Sequence, residues 1–134
     1  MSDKRRVEKS EAQWREELPE RVFEVTRRGG TEPPFSGEYC HSKSDGVYYC
    51  ICCSTPLFEG ATKFDSGTGW PSYWAPIAED CLITRSDHSG GMLRQEVLCA
   101  TCDAHLGHVF DDGPPPTGLR YCINSAALRL DENA

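Results

Sequence analysis

The sequence predicts a mainly β domain preceded by short N-terminal helices, and three observations support this. From Tyr39 onward, short runs of aromatic and β-branched residues alternate with clusters of Gly, Pro, Asp and Ser, the pattern of strands and turns. Helix signals are confined to the segment before Gly29. Two Cys-x-x-Cys pairs, Cys50/Cys53 and Cys99/Cys102, mark tight turns whose sulfurs can converge on one ion, and two such turns complete a tetrahedron. One structural zinc per chain is the expectation. The competing readings are redox dithiols or ordinary buried cysteines. Because the pairs lie far apart in the chain, the metal would join distant parts of one fold and close a large loop. Neither pair is followed by glycine; Ser54 and Asp103 stand there instead.

The elements follow in order. Residues 1–9 are charged and read as a disordered tail, leaving 10–134 as a single domain, large enough for its own core. Ser10 can cap a short helix carrying Trp14 and Leu18, Pro19 can start a second containing Val22, Phe23 and Thr26, and Gly29-Gly30 ends it. Thr31 to Gly37 is loop. The strand candidates are Val47–Tyr49, Leu57–Phe58, Cys81–Thr84, Met92–Leu98, His108–Phe110, Arg120–Ile123 and Ala127–Leu130. Asp111 to Pro116 is a rigid turn between two of them.

Composition excludes several classes of function. Eight cysteines would suit a secreted disulfide framework, but Met1-Ser2-Asp3-Lys4-Arg5-Arg6 leads into charged residues without an apolar signal region. The chain therefore reads as cytoplasmic, with reduced thiols. No apolar run approaches the ~20 residues needed to span a bilayer. The formal charge of −7 and the pI near 5.0 disfavour a phosphate-tracking surface. Neither nucleic acid nor membrane is expected as a partner.

The reactive candidates lie downstream. Cys122, in Arg120-Tyr121-Cys122-Ile123-Asn124, has Arg120 and Asn124 two residues away on either side, so a cation and an amide share its strand face. That setting favours a thiolate; the alternative is a small buried core residue. His105-x-x-His108, with Phe110 beyond, offers two imidazoles for proton transfer. They are not needed as metal ligands if the four cysteines close the tetrahedron, and the patterns of metalloproteases and zinc deaminases are missing. Gly67 to Trp74 is a glycine-hinged turn presenting Trp70, which suits an apolar wall for a small methylated group and suits a core corner equally well.

The Cys-x-x-Cys at 50–53, "KFDSGTGWPSY" at 63–73, "EVLCATCDAHLGHVFDDGP" at 96–114 and "RYCINSAAL" at 120–128 together resemble the methionine-R-sulfoxide reductases of type B, the SelR family. The helix residues Phe23-Glu24-Val25-Thr26 and "GTEPPFSGEY" at 30–39 extend the resemblance over nearly the whole chain. It implies a β-tent-like domain of two antiparallel sheets with N-terminal helices and a four-cysteine structural zinc. It implies Cys122 as the nucleophile, with His105, His108 and Asn124 around the departing oxygen, and Trp70 and Phe110 holding the methyl group beside Arg120. The implied reaction reduces methionine-R-sulfoxide, mainly in oxidised proteins, through a sulfenic acid on Cys122. Thr68 departs from the pattern: many members carry a resolving cysteine there. Cys40, Cys52 and Cys81 remain as candidates, Cys40 first because its loop can approach another site more readily, and direct reduction by an external thiol stays open. A thioredoxin or similar dithiol is the expected reductant, and the chain is expected to be a monomer. Two rival readings are a zinc-stabilised binding or chaperone module without catalysis and a thioredoxin-like oxidoreductase using Cys50/Cys53.

Overall fold

The computed structural model describes residues 9–37, 39, 46–88, 91 and 93–131. Most of the expected N-terminal tail, Cys40 and Met92 lie outside the described residues.

Helix α1 spans Glu11–Glu17. Ser10 caps it reciprocally: its Oγ accepts from the Gln13 backbone N–H at 3.2 Å, while Gln13 Oε1 accepts from the Ser10 N–H at 2.9 Å. Leu18 falls just outside the helix, at φ −111 and ψ 142, because the ring of Pro19 disfavours a helical residue before it. Helix α2, Glu20–Arg28, starts from Pro19 and stops at Gly29, whose φ of 72 is the left-handed conformation that glycine adopts without a Cβ penalty. Trp14, Val22, Phe23 and Val25 enter the core. Among the described residues, no helix is long and apolar enough to cross a membrane.

Among the described residues nine strands follow: β1 Val47–Cys50, β2 Pro56–Glu59, β3 Lys63–Phe64, β4 Ser72–Tyr73, β5 Leu82–Asp87, β6 Arg94–Cys99, β7 His105–Phe110, β8 Arg120–Ile123 and β9 Leu128–Asp131. They form two antiparallel sheets, one in the order β2-β1-β9 and one in the order β3-β4-β8-β7-β6-β5. The mainly β architecture of two antiparallel sheets after two short helices is the expected one. The sequence reading placed β8 at the observed residues but began β7 at His108, three residues late, and stopped β5 at Thr84, where charged residues interrupt the apolar run. Strands β3 and β4 were not expected, since two residues carry no period to read.

Aromatic rings join the sheets. Tyr48 of β1 and Phe58 of β2 meet Tyr73 of β4, with the Phe58 and Tyr73 rings stacked at 4.4 Å and the Tyr48 and Tyr73 rings edge-on at 5.3 Å. All three are fully buried, each contributing about 2 kcal/mol or more of apolar burial. The core-corner reading therefore holds for Tyr73, while Trp70, three residues earlier, lines a groove. Helix α2 packs on β7 and on the 3-10 turn Ser125–Ala127 that follows β8, bracing the strand that carries Cys122 from below its end.

Candidate active site and metal clamp

Cys50 ends β1 and Cys99 ends β6, so each Cys-x-x-Cys turn caps a hairpin, one in each sheet. The two turns repeat each other. Ser54 N–H donates to the Cys50 carbonyl at 2.8 Å and Cys50 N–H donates to that of Thr55 at 2.8 Å. Asp103 N–H donates to the Cys99 carbonyl at 2.8 Å and Cys99 N–H donates to that of Ala104 at 2.9 Å. Ser54 and Asp103, the residues standing in place of glycine, hold φ of 65 and 63. Left-handed backbone costs a side-chain-bearing residue about 1 kcal/mol, and both turns accept it.

The four sulfurs of Cys50, Cys53, Cys99 and Cys102 lie within 4.8 Å of one another. Cys50 and Cys102 are 3.7 Å apart and Cys53 and Cys99 are 3.6 Å apart. A tetrahedron built on metal–sulfur bonds of about 2.3 Å has edges of about 3.8 Å. The cluster therefore fits a metal ion. Arg27 of α2 donates through Nη2 to the Cys102 carbonyl at 2.9 Å and to its sulfur at 3.5 Å, with its guanidinium 4.4 Å above the Trp14 ring. The helices are thereby tied to the clamp.

Cys122 sits in a different setting. On β8 it stands directly opposite His108 of β7 on one side and Ser72 of β4 on the other. Its sulfur opens on a groove of about 250 Å³. Thr31, Thr68 and Trp70 form one wall, and Arg94, Gly107, His108, Phe110, Arg120 and Asn124 line the rest. Gly107 leaves no room for a Cβ against the Cys122 carbonyl, so glycine lets the two strands close at this point. Burial pushes the Cys122 thiol up; the Thr68 hydroxyl, 3.9 Å from the sulfur, and Arg120 oppose that rise without overcoming it. The expected cation is present, but desolvation outweighs it, so the resting group is a protonated thiol.

The profile of the SelR domain matches residues 18–132. The chain is 61% identical over 125 residues to a peptide methionine sulfoxide reductase MsrB of Azotobacter vinelandii, covering 93% of this chain and 94% of the relative. It is 63% identical over 114 residues to one from Thioalkalivibrio sulfidiphilus, covering 85% and 83%, and 58% identical over 125 residues to one from Pseudomonas fluorescens, covering 93% and 96%. The chain belongs to the SelR family.

Of the residues that the family resemblance singled out, the groove gathers Cys122, His108, Asn124, Trp70, Phe110 and Arg120. It does not include His105. A spacing of three would send the two histidines to opposite faces of a regular strand. In β7 the pairing slips between Val97↔Gly107 and Leu98↔His105, so Leu106 is an extra residue and the alternation reverses. The imidazole rings consequently come to 5.6 Å, edge to face. His105 is buried, Nδ1–H donates to Glu96 at 2.6 Å, and Nε2 has no hydrogen-bond partner among the described residues. Burial pulls the His105 imidazole down toward the neutral form, against the pull of Glu96. Burial pushes the Glu96 carboxyl up, but hydrogen bonds from Arg85 and His105 together hold it below the usual range.

Three further placements refine the SelR site. Arg120 forms a two-pronged pair with Asp112, at 2.9 and 3.1 Å, and stacks 4.4 Å above the Phe110 ring, so it braces a wall of the groove as well as facing the sulfur. Asn124 is buried, donating from Nδ2 to the Leu106 carbonyl at 3.0 Å and accepting the Glu32 N–H at 3.0 Å. Trp70 Nε1 donates to the Glu32 carbonyl at 2.9 Å, and the Glu32 carboxylate accepts the N–H groups of Ser125 and Ala126 at 2.8 and 3.0 Å. One buried acid thus fixes both the indole and the amide. Sequence reading passed over Glu32, Glu96 and Asp87. For Glu96 and Asp87 a signal existed, since Arg85-x-Asp87 and Arg94-x-Glu96 place complementary charges on facing strands. For Glu32, in a polar loop, there was none. Cys81 is buried with its thiol toward the Ala78 carbonyl at 3.1 Å, Cys52 lies inside the first clamp turn, and neither lines the groove.

Proposed function

We propose that this protein is a peptide methionine sulfoxide reductase specific for the R epimer and acting mainly on oxidised protein chains. The observation that carries the reading is a lone thiol, Cys122, directly opposite His108 in a groove walled by Trp70 and Phe110. The names of its relatives at about 60% identity support methionine sulfoxide reduction as the general activity. Trp70 and Phe110 take the ε-methyl group. The sulfoxide oxygen points toward His108, with Asn124 and His105 supporting that side. Methyl and oxygen on different walls leave only one epimer with its sulfur toward Cys122.

The step balances without an external reductant. Cys122 sulfur attacks the sulfoxide sulfur to form a transient sulfur–sulfur bond; that bond and the substrate sulfur–oxygen bond then break as the protonated oxygen passes to the Cys122 sulfur, releasing methionine and leaving a sulfenic acid on Cys122. Methionine sulfur gains two electrons and Cys122 loses two. Because the resting Cys122 is a thiol, its own proton suffices: His108 accepts it as the nucleophile forms and delivers it to the oxygen as negative charge develops. Arg120 steadies the transient thiolate. The sulfenic acid then condenses with Cys40, releasing water and forming a disulfide that thioredoxin or a similar dithiol reduces. Zinc held by Cys50, Cys53, Cys99 and Cys102 supplies structural cross-linking and no step of the reaction. Residues 10–134 act as one catalytic domain, and the protein works as a monomer repairing oxidised proteins in the cytoplasm.

Mass spectrometry after one turnover without reductant tests the reading. The expected product is methionine together with a Cys122–Cys40 disulfide, and Cys40→Ser should instead leave Cys122 one oxygen heavier. A folded, metal-replete protein that leaves methionine-R-sulfoxide peptide untouched overturns the function. A disulfide to Cys81 or Cys52 moves the resolving role, and a sulfenic acid that persists in the parent assigns recycling to the external thiol.

A further inference from the structure

Two arginine–carboxylate–imidazole series cross strands β5, β6 and β7. In one, Arg85 Nε donates to Glu96 Oε1 at 2.8 Å and Glu96 Oε2 accepts from His105 at 2.6 Å. In the other, Arg94 Nη2 lies 3.6 Å from Asp87 Oδ2, and that same oxygen is 2.7 Å from His108 Nε2. The first series ends on a ring outside the groove. The second ends on the ring facing Cys122, and Arg94 itself lines the groove.

We propose that Asp87 is the positioning residue of His108 and that it leaves Nδ1 as the nitrogen that exchanges the proton with substrate. This inference rests on His108 being the proton-transferring group. A carboxylate only accepts hydrogen bonds, so Nε2 must carry hydrogen toward Asp87, and the other ring nitrogen is the one left for the reaction. The groups around His108 are Asp87 from β5, Arg94 and the in-register Glu96 from β6, His105 on its own strand, and Cys122 and Arg120 from β8. Among the carboxylates, Glu96 is already engaged by Arg85 and His105, and Asp112 by Arg120. Asp87 is the acid that holds His108. It is the last residue of β5, the edge strand, so replacing it leaves the core packing in place.

The test is a double-mutant cycle on single-turnover methionine release from a methionine-R-sulfoxide peptide, comparing parent, Asp87→Asn, His108→Gln and the double variant, each checked for bound zinc. Asp87→Asn should slow the chemical step about 10- to 100-fold, the usual range for a partner that orients a functional imidazole, with KM within about twofold. In the His108→Gln background the same change should cause no further loss, which a merely structural role would not produce. Should Asp87→Asn fail to retain zinc, Asp87→Glu is measured in its place and should keep a rate between those of parent and His108→Gln. Parental rates in the Asp87 variants, or a loss that multiplies with that of His108→Gln, would overturn the inference while sparing the proton-transfer reading. A parental rate in His108→Gln would overturn both.

Discussion

The clamp and the groove use the same atom, cysteine sulfur, in opposite ways. In the clamp, two hairpin turns with matching hydrogen bonds crowd four sulfurs to within 4.8 Å of one another, and the backbone of each turn directs them, with Arg27 adding a side-chain contact to Cys102. In the groove one sulfur stands by itself on a strand face, tuned by Arg120 of its own strand and by groups from other strands and loops: Thr68, His108 and, through Trp70 and Asn124, Glu32. A local turn can be read from four consecutive letters. A site assembled across strands cannot. The comparison teaches that proximity of like groups supports binding of an ion, whereas isolation among unlike groups supports reactivity.

The contrast breaks first, and with the largest effect, at the clamp. Cys99→Ser, or chelation of the parent, should release metal and cost about 5 kcal/mol or more of stability, lowering the thermal midpoint by more than about 15 °C in calorimetry, since metal-binding free energy is folding free energy here. An unchanged midpoint would place the cluster outside the folding unit. Cys122→Ser should do the reverse, reducing turnover by at least about 1,000-fold while metal content stays and the midpoint moves by less than about 3 °C. Loss of metal in that variant would merge the two regions into one. Next comes His108→Ala, expected to lower kcat about 100-fold with a much smaller change in KM; steady-state kinetics on a sulfoxide peptide decides this.

The pH response sharpens the same contrast more gently. Since burial holds the Cys122 thiol above its ordinary value, alkylation of Cys122 in the free protein should accelerate from neutral pH well into the alkaline range as the thiolate fraction grows. Arg120 opposes the rise, so Arg120→Gln should move the whole curve to higher pH, and a shift to lower pH would contradict the assignment of that cation. The smallest effect is expected at Arg27, whose guanidinium donates to Cys102: Arg27→Ala should weaken metal binding about tenfold in a competition titration, leaving turnover of the metal-loaded protein unchanged.

How much was legible follows the same division. Spacing alone located the clamp ligands, Ser10 announced the first helix, and Arg120–Ile123 announced β8, because each is a local signal. Trp70, Phe110, Asn124 and the histidines stood out locally, but resemblance gave them their roles, and their meeting depends on the register of β7 against β8, which no single segment encodes. The charged residues of β5 and β6 acquire their roles only through pairing, which brings Arg85 to Glu96 and Asp87 to Arg94. Glu32 was invisible for a related reason: the partners of its carboxylate lie more than ninety residues away.

The additional residue in β7 makes chain length, rather than composition, a functional variable in that strand. Substituting Leu106 perturbs packing, whereas deleting it would restore regular alternation and turn His105 through the sheet. The knuckle carrying Cys99 and Cys102 lies just upstream, so the same deletion would rotate one half of the clamp against the other. The bulge therefore acts as a phase-setting element between two sites that share no ligand. Leu106→Ala should keep both metal and measurable turnover, while a one-residue deletion should lose both together, a pairing of defects that metal analysis and a single assay can read side by side.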